Sequence, residues 1–521
     1  MKSRHTAFRS VRLSLRDLLG ADYTDTVCAA CARLTGEPIA EPRTLANVKV
    51  EFFPVRIQER MLSLLRKVGR DFTAPFENSA RGATTAQFAA HSKNASAPLS
   101  TMGYYRVGED GRLYLITKSE HYHTPLGHAF PGYRLVELAG ALGVPNATHN
   151  NTRGHIARML EEELVRVAGG LMPDDRTALD HELRAKRHGA LNRVLNLETG
   201  SLAAEAAIKI VLNRFYAVQD GGAAPKYAGR VPVLVVIGDD EGGLQANYHG
   251  TNITAQIMRG MWPEMRKRLE KSGTLVVRAV RPNDIAGLNA AFEKFDSAPY
   301  KIAGFFHELV LMNYAGKRLS EKFIRRAYAL CARHDVPAMV DEIQTGLWSP
   351  ELFMYREYGL KPALVAIGKG FPGGEYPASR LLFTADLDTL PQFGALVTNG
   401  QEELASLAYL ITMRWAEANA EVTSAVGEYY EARLRELGDE FSDRISAIEG
   451  RRHLAGIYFH DLKPATAFAQ HLNAAGLDIS VQTYKAGCPP SALTKLPLIA
   501  GYEVVDFVLE KMRGALNGAG N

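Results

Sequence analysis

Four cysteines in 521 residues, Cys28, Cys31, Cys331 and Cys488, are too few for a disulfide framework. They fit a reducing compartment, so the expected location is the cytoplasm. Cys28 and Cys31 share the C-x-x-C spacing of redox and half-zinc sites, but no second cysteine pair answers them. They are expected on the packing face of a helix, and no metal site is expected. No apolar run approaches the roughly 20 residues that span a bilayer, so no membrane role is expected. Charge of one sign is also scarce: 61 basic against 57 acidic residues leave +4. That balance supplies no field for a nucleic acid. Acids are missing from Met1 to Arg16, which holds Lys2, Arg4, Arg9, Arg12 and Arg16. A mitochondrial presequence has that bias; the expectation is an ordinary basic N-terminal helix.

What is present is a globular composition, 46% hydrophobic and 23% charged, in a chain long enough for two or three domains. Two short apolar runs carry the chemistry. Val336–Val340 ends in Asp341-Glu342-Ile343-Gln344-Thr345-Gly346, and Ala363–Ile367 ends in Gly368-Lys369-Gly370-Phe371-Pro372-Gly373-Gly374. Runs of this kind read as adjacent strands of a parallel sheet, whose ligands sit beyond the carboxyl ends of the strands. Asp341 and Lys369 are then expected at one site. Taken singly, Lys369 reads as a surface lysine and Asp341 as a strand-end cap. Taken together they suit pyridoxal phosphate (PLP), which needs a lysine for its Schiff base and an acid beside its ring nitrogen.

The paired segments resemble those of the class III (subgroup II) aminotransferases of PLP fold type I. That family carries D-E-[VI]-Q-T-G and, downstream, G-K-G-x-x-G-G with the cofactor lysine. The resemblance runs from about Gly103 to near the C-terminus. It implies an α/β fold: a large domain with a mainly parallel, doubly wound sheet, and a small α/β C-terminal domain. The expected division is residues 1–100 as an N-terminal extension, 101–400 as the large cofactor-binding domain, and 401–521 as a long helix and the small domain. Independently, Val233–Ile237, Leu275–Val280 and Ile302–Phe306 read as strands, with helices at Leu202–Ile210 and Ser320–His334. That alternation is the doubly wound pattern. Val55–Val68 reads as a helix, Asn78–Ser100 as a connector, and Asp110-Gly111 as a hairpin turn.

Gly200 and Ser201 precede a strongly helix-forming run, and a helix N-terminus is a ready anion site. Simple capping accounts for the same pair. The resemblance places the cofactor phosphate there, although Leu202 stands where the family has a glutamate. Asn247-Tyr248-His249-Gly250 matches an aromatic-[HW]-G segment, which implies Tyr248 stacked on the cofactor with His249 beside it. Gln344 is implied at the phenolic oxygen and Glu308 close to the cofactor. Thr398 is implied at the phosphate of a second subunit's cofactor, hence a homodimer with a shared active site. Glu120-His121-Tyr122-His123 falls where the family faces its substrate, so His121 and Tyr122 are expected to line the pocket.

The activity implied is amino-group transfer from an amine or amino acid to a keto acid or aldehyde, with Lys369 as base and Asp341 at the ring nitrogen. Two family arginines are missing: Thr251 replaces the one found in glutamate-handling members, and only Lys495 stands near the α-carboxylate position. Their absence leaves open racemisation, decarboxylation or amino-group migration on the same cofactor. A non-catalytic relative is a further alternative. Leu202, Leu309 and Trp348 depart from the family in its favour, and the retained Lys369, Asp341 and Gln344 count against it.

Overall fold

The structure is a computed structural model and describes residues 6–149, 151–238, 249–482 and 489–518. The described residues form two compact units: 139–417, and 6–138 with 418–482 and 489–518.

The first unit is built on seven strands: β1 (Leu191–Leu197), β2 (Val231–Ile237), β3 (Val276–Val280), β4 (Tyr300–His307), β5 (Ala338–Asp341), β6 (Leu364–Ile367) and β7 (Ser379–Thr384). Their order across the sheet is β1-β7-β6-β5-β4-β2-β3. All run parallel except β7, which opposes both of its neighbours. β2 reads Val-Pro-Val-Leu-Val-Val-Ile and is buried from Pro232 onward. Such continuity is what a strand covered on both faces requires. Helix α1 (Gly200–Leu212) sets Ala203, Ala206 and Ala207 into a core with Leu234, Phe306, Met339, Leu364 and Leu381. Helix α2 (Glu321–Arg333) starts where the Ser320 hydroxyl accepts from Phe323 N, a cap worth about 1 kcal/mol. It buries Phe323, Ile324, Ala327, Leu330 and Cys331, one stripe at helical spacing, and leads into β5.

Register decides where the chemistry emerges. Met339 pairs with Leu364 and Asp341 with Ala366, so β5 and β6 end together. On the other side Val340 pairs with His307, which brings the end of β4, and Glu308 after it, to the same edge. β1 and β7 are not among the strands expected from sequence. β1 reads Leu-Asn-Arg-Val-Leu-Asn-Leu, neither a regular alternation nor an unbroken apolar run, and β7 carries Arg380 at its second position.

In the second unit, Ile445–Arg451, Leu454–Phe459, Ser491–Lys495 and Ser480–Gln482 make an antiparallel sheet in that order. Helices Ala420–Glu440, Leu462–Ala474 and Tyr502–Gly518 accompany it. Tyr105–Gly108 and Leu113–Leu115 form the expected hairpin, turning at Gly111 with φ +77°. Val55–Leu64 is a helix with one tighter turn to Lys67. The connector holds a short helix, Ala86–His91, capped by Thr85. Cys28 and Cys31 are both buried on the helix Ala21–Thr35, and burial pushes the Cys28 thiol up.

The basic start is not the helix expected. Arg12–Leu13 pairs with Val50–Glu51 as strand, and Arg9 N donates to Asn419 Oδ1 at 2.7 Å. These partners take the backbone donors that a helix would use internally. A helix begins only at Leu15, behind a Ser14–Asp17 capping box. Among the described residues no helix is long and apolar enough to cross a membrane.

Candidate active site

Asp341 closes β5 and is buried. Its Oδ2 lies 2.8 Å from His249 Nδ1, and its Oδ1 accepts from Ile343 N at 3.0 Å. His249 is buried too, and its ring meets Phe306 edge-on at 6.1 Å. Facing a carboxylate, Nδ1 carries the proton and donates. Nε2 has no hydrogen-bond partner among the described residues.

Lys369 follows β6 in a loop of glycines. Its backbone is left-handed at φ +34°, a conformation that side chains other than glycine adopt only when the surroundings impose it. Burial pushes the ammonium down to about 8, while Asp341 and Glu308 pull the other way. Relative to an ordinary lysine, the neutral amine near pH 7 is enriched roughly a few hundredfold. A neutral amine is the form that attacks a carbonyl. Glu308, also buried, accepts from Gln344 Nε2 at 3.1 Å.

At the start of α1 the N-cap residue Thr199 makes no side-chain cap. Ser201 Oγ instead accepts from Thr251 N at 3.0 Å and lies 3.3 Å from Thr251 Oγ1. Asn252 Nδ2 donates to Ser201 O at 2.8 Å. Gly250, φ +95°, makes this approach possible: a Cβ there would stand 2.5 Å from Ser201 Cα. The segment after His249 is thereby pressed against the helix N-terminus.

Thr398 is exposed, in a loop whose next residues donate backbone N–H groups to carboxylates. Asn399 N reaches Glu198 at 3.2 Å and Gly400 N reaches Glu402 at 2.6 Å. His121 and Tyr122 belong to the second unit. They lie on a left-handed turn in which Ser119, Glu120, His121 and Tyr122 all have φ between +44° and +76°. Arg106 at 2.7 Å and His128 at 3.1 Å hold Glu120 there, and the His121 and Tyr122 rings stack at 4.9 Å. Tyr248 lies outside the described residues. Among the described residues, no group of three His, Cys, Asp or Glu side chains is arranged to hold a metal ion.

Sequence reasoning passed over Glu342. It is fully buried and accepts from Thr345 Oγ1 at 3.0 Å, Met354 N at 3.0 Å and Tyr355 N at 2.7 Å. Burial outweighs these three donors and pushes the carboxyl up to about 7. The available signal was the second acid of the Asp-Glu pair: alternation along a strand sends neighbouring side chains to opposite faces. One of the two was bound to leave the site and enter the interior.

The donor set fits pyridoxal phosphate: a half-buried lysine of depressed basicity, a buried carboxylate across the strand pair, and a helix N-terminus without a capping side chain. The family model for aminotransferase class-III matches residues 100–515. An ornithine aminotransferase of Halalkalibacterium halodurans is 25% identical over 398 residues, 73% of this chain and 90% of that protein. An acetylornithine aminotransferase of Aquifex aeolicus is 24% identical over 340 residues, 64% of this chain and 78% of that protein. Among solved structures, the ornithine aminotransferase of Toxoplasma gondii superposes with a TM-score of 0.65 at 17% identity, covering 88% of this chain and 95% of that one. An adenosylmethionine-8-amino-7-oxononanoate aminotransferase of Methanocaldococcus jannaschii gives 0.64 at 18% identity, covering 89% and 100%. The fold is PLP fold type I. The chain belongs to the class III aminotransferases, enzymes that transfer amino groups with pyridoxal phosphate.

Proposed function

We propose that Lys369 is the residue that holds the cofactor and then moves the proton, and that Asp341 is the acid at its ring nitrogen. The observation that carries this is the shared end of β5 and β6, with Asp341 opposite Ala366, the Asp341 side chain buried and Lys369, two residues past β6, half-buried. Gly200 and Ser201 would hold the phosphate, Tyr248 and His249 the ring face, and Gln344 the phenolic oxygen. Bound pyridoxal phosphate supplies an electron sink that makes a substrate Cα–H bond breakable. Lys369 Nζ supplies a base whose pKa of about 8 suits proton transfer near neutral pH. His249 Nδ1 fixes the Asp341 carboxylate, and Glu308 fixes Gln344.

Thr398, exposed in its own subunit, is assigned to the phosphate of a second subunit, so the working form is a homodimer with a shared site. The cytoplasm is the proposed location, in keeping with the few cysteines. His121 and Tyr122 are assigned to the substrate pocket. The donor is an amino acid or amine with a terminal amino group. The names of the ornithine and acetylornithine relatives and Thr251 in place of an arginine support that class. The test is borohydride reduction of the yellow holoenzyme followed by peptide mapping. A reduced adduct on Lys369, absent from Lys369→Ala, supports the assignment; an adduct on another lysine removes it. A panel of terminal amines and α-amino acids, scored by carbonyl product, then tests the donor class.

A further inference from the structure

Arg380 is a cation in a place that ordinarily excludes one. It sits on β7, fully buried, between β6 and β1. No carboxylate among the described residues lies within 4.0 Å of it. Its Nη1 donates to Ser379 O at 2.8 Å and Leu197 O at 3.4 Å, and its Nη2 to Ser406 Oγ at 3.4 Å. Its Nε has no hydrogen-bond partner among the described residues. Burying a charge without a counter-charge is costly, so the site must return something for it.

The guanidinium carbon stands 5.0 Å from the centre of the Tyr409 ring. A desolvated guanidinium over an aromatic ring is the strong form of that attraction. Tyr409 is itself fully buried, and its hydroxyl donates to Ala378 O at 3.1 Å, just before β7. The same ring stacks on Phe371 at 5.8 Å and 23°. Phe371 is two residues beyond Lys369, in the loop whose lysine has a left-handed backbone. It leans on Phe353 at 5.6 Å and lies so close to Gly346 that a Cβ there would meet its ring at 2.5 Å. On the strand side, Arg380 pairs in register with Ile367, two residues before Lys369.

We propose that Arg380 is a positioning residue for Lys369, acting through the Arg380–Tyr409–Phe371 stack that clamps the loop 368–374 from behind. The ladder fixes the loop on both sides of the lysine: β7 pairing before it and ring stacking after it. With the clamp in place the loop stays packed and water stays off the amine; without it the loop relaxes, Lys369 leaves its left-handed conformation and its amine is hydrated.

This inference rests on Lys369 being the cofactor lysine, and the borohydride mapping above decides that separately in the wild type. The test uses the cofactor-free protein. Competitive acylation at a series of pH values, read by mass spectrometry of the peptide carrying Lys369, gives the pH profile of that amine. Arg380→Met and Tyr409→Leu should each move the profile upward by at least one pH unit and speed backbone hydrogen exchange at 368–374 at least tenfold. Arg380→Lys, which restores a cation, should recover part of both. Phe371→Leu tests the last rung if the arginine variants do not fold, and the same two changes are expected. Folded variants with an unchanged Lys369 profile and unchanged exchange at 368–374 would overturn the proposal, whatever they do to activity or melting temperature.

Discussion

His249 and Asp341 are 92 residues apart in sequence, and their side chains meet at 2.8 Å in a buried hydrogen bond. The bond aims a carboxylate that would otherwise be free to rotate. With Ile343 N on the other oxygen, both Asp341 oxygens are held by donors from the protein. A hydrogen bond to a charged group contributes about 1.5–3 kcal/mol.

Replacing His249 by Leu should therefore slow amino-group transfer by roughly tenfold or more. If Asp341 is the acid at the ring nitrogen, as proposed, replacing it by Asn should cost more, ~10²–10³-fold in kcat, because an amide supplies no charge there. Single-turnover kinetics on the two variants measures both. An H249L enzyme with wild-type kcat would show that the bond holds structure and does not serve the reaction.

Lys369 makes a prediction about stability. Its pKa in the folded protein, about 8, is below the 10.5 of the unfolded chain, so the folded state binds its proton less tightly. This is a destabilising contribution, present in full below pH 8 and removed as pH rises from 8 to 10.5. Lys369→Met should raise the stability of the cofactor-free protein at pH 7 by ~3 kcal/mol while abolishing activity. Urea unfolding at pH 7 and pH 10 measures the increment, which should shrink at the higher pH. An increment that is equal at both pH values contradicts a depressed lysine.

The two central strands and their polar ends were legible because a parallel sheet buries both faces of a strand, which writes an unbroken apolar run before each polar tip. Helix α2 was legible through its Ser320 cap and its apolar stripe. β7 was not: a central strand that accommodates Arg380 through Tyr409 and backbone carbonyls looks, in sequence, like an exposed edge. The left-handed turn at Ser119–Tyr122 was not legible either. None of the four residues is glycine, and the Arg106–Glu120 contact that holds the turn is made by side chains 14 positions apart. The His249–Asp341 bond depends on the order of strands across the sheet, which pattern alone does not provide.

If Gly200 and Ser201 hold the cofactor phosphate, as proposed, Gly250 ties cofactor affinity to backbone conformation. Gly250→Ala would place a methyl 2.5 Å from Ser201 Cα on a backbone at φ +95°. Strain of about 1–3 kcal/mol is expected from the dihedral alone, and relief requires the 249–251 segment to lift from α1. Cofactor titration should then show affinity lowered roughly tenfold or more, with Ser201→Ala, which removes the hydroxyl but keeps the backbone, having the smaller effect. A G250A protein that binds cofactor as the wild type does would mean that the close approach is incidental.

Glu342 contributes a pH dependence to the stability of the fold beneath the site. Its folded pKa, about 7, lies above the unfolded 4.5, so folding takes up a proton in that interval. The stability this group contributes is present in full below pH 4.5 and is lost as pH rises through 7. Glu342→Gln has no proton to exchange, so its stability relative to wild type should grow by ~3 kcal/mol between pH 4.5 and 7. Against that gain, the amide turns one oxygen into a donor facing Met354 N or Tyr355 N, a constant penalty at every pH. Glu342→Leu removes the acceptor for all three donors and should cost ~3 kcal/mol or more above pH 7. Denaturant unfolding across pH 4.5–8 separates the terms, since only the proton term has a slope in pH. Parallel curves for the wild type and E342Q would show that Glu342 enters the folded interior already ionised, and that its three donors outweigh its burial.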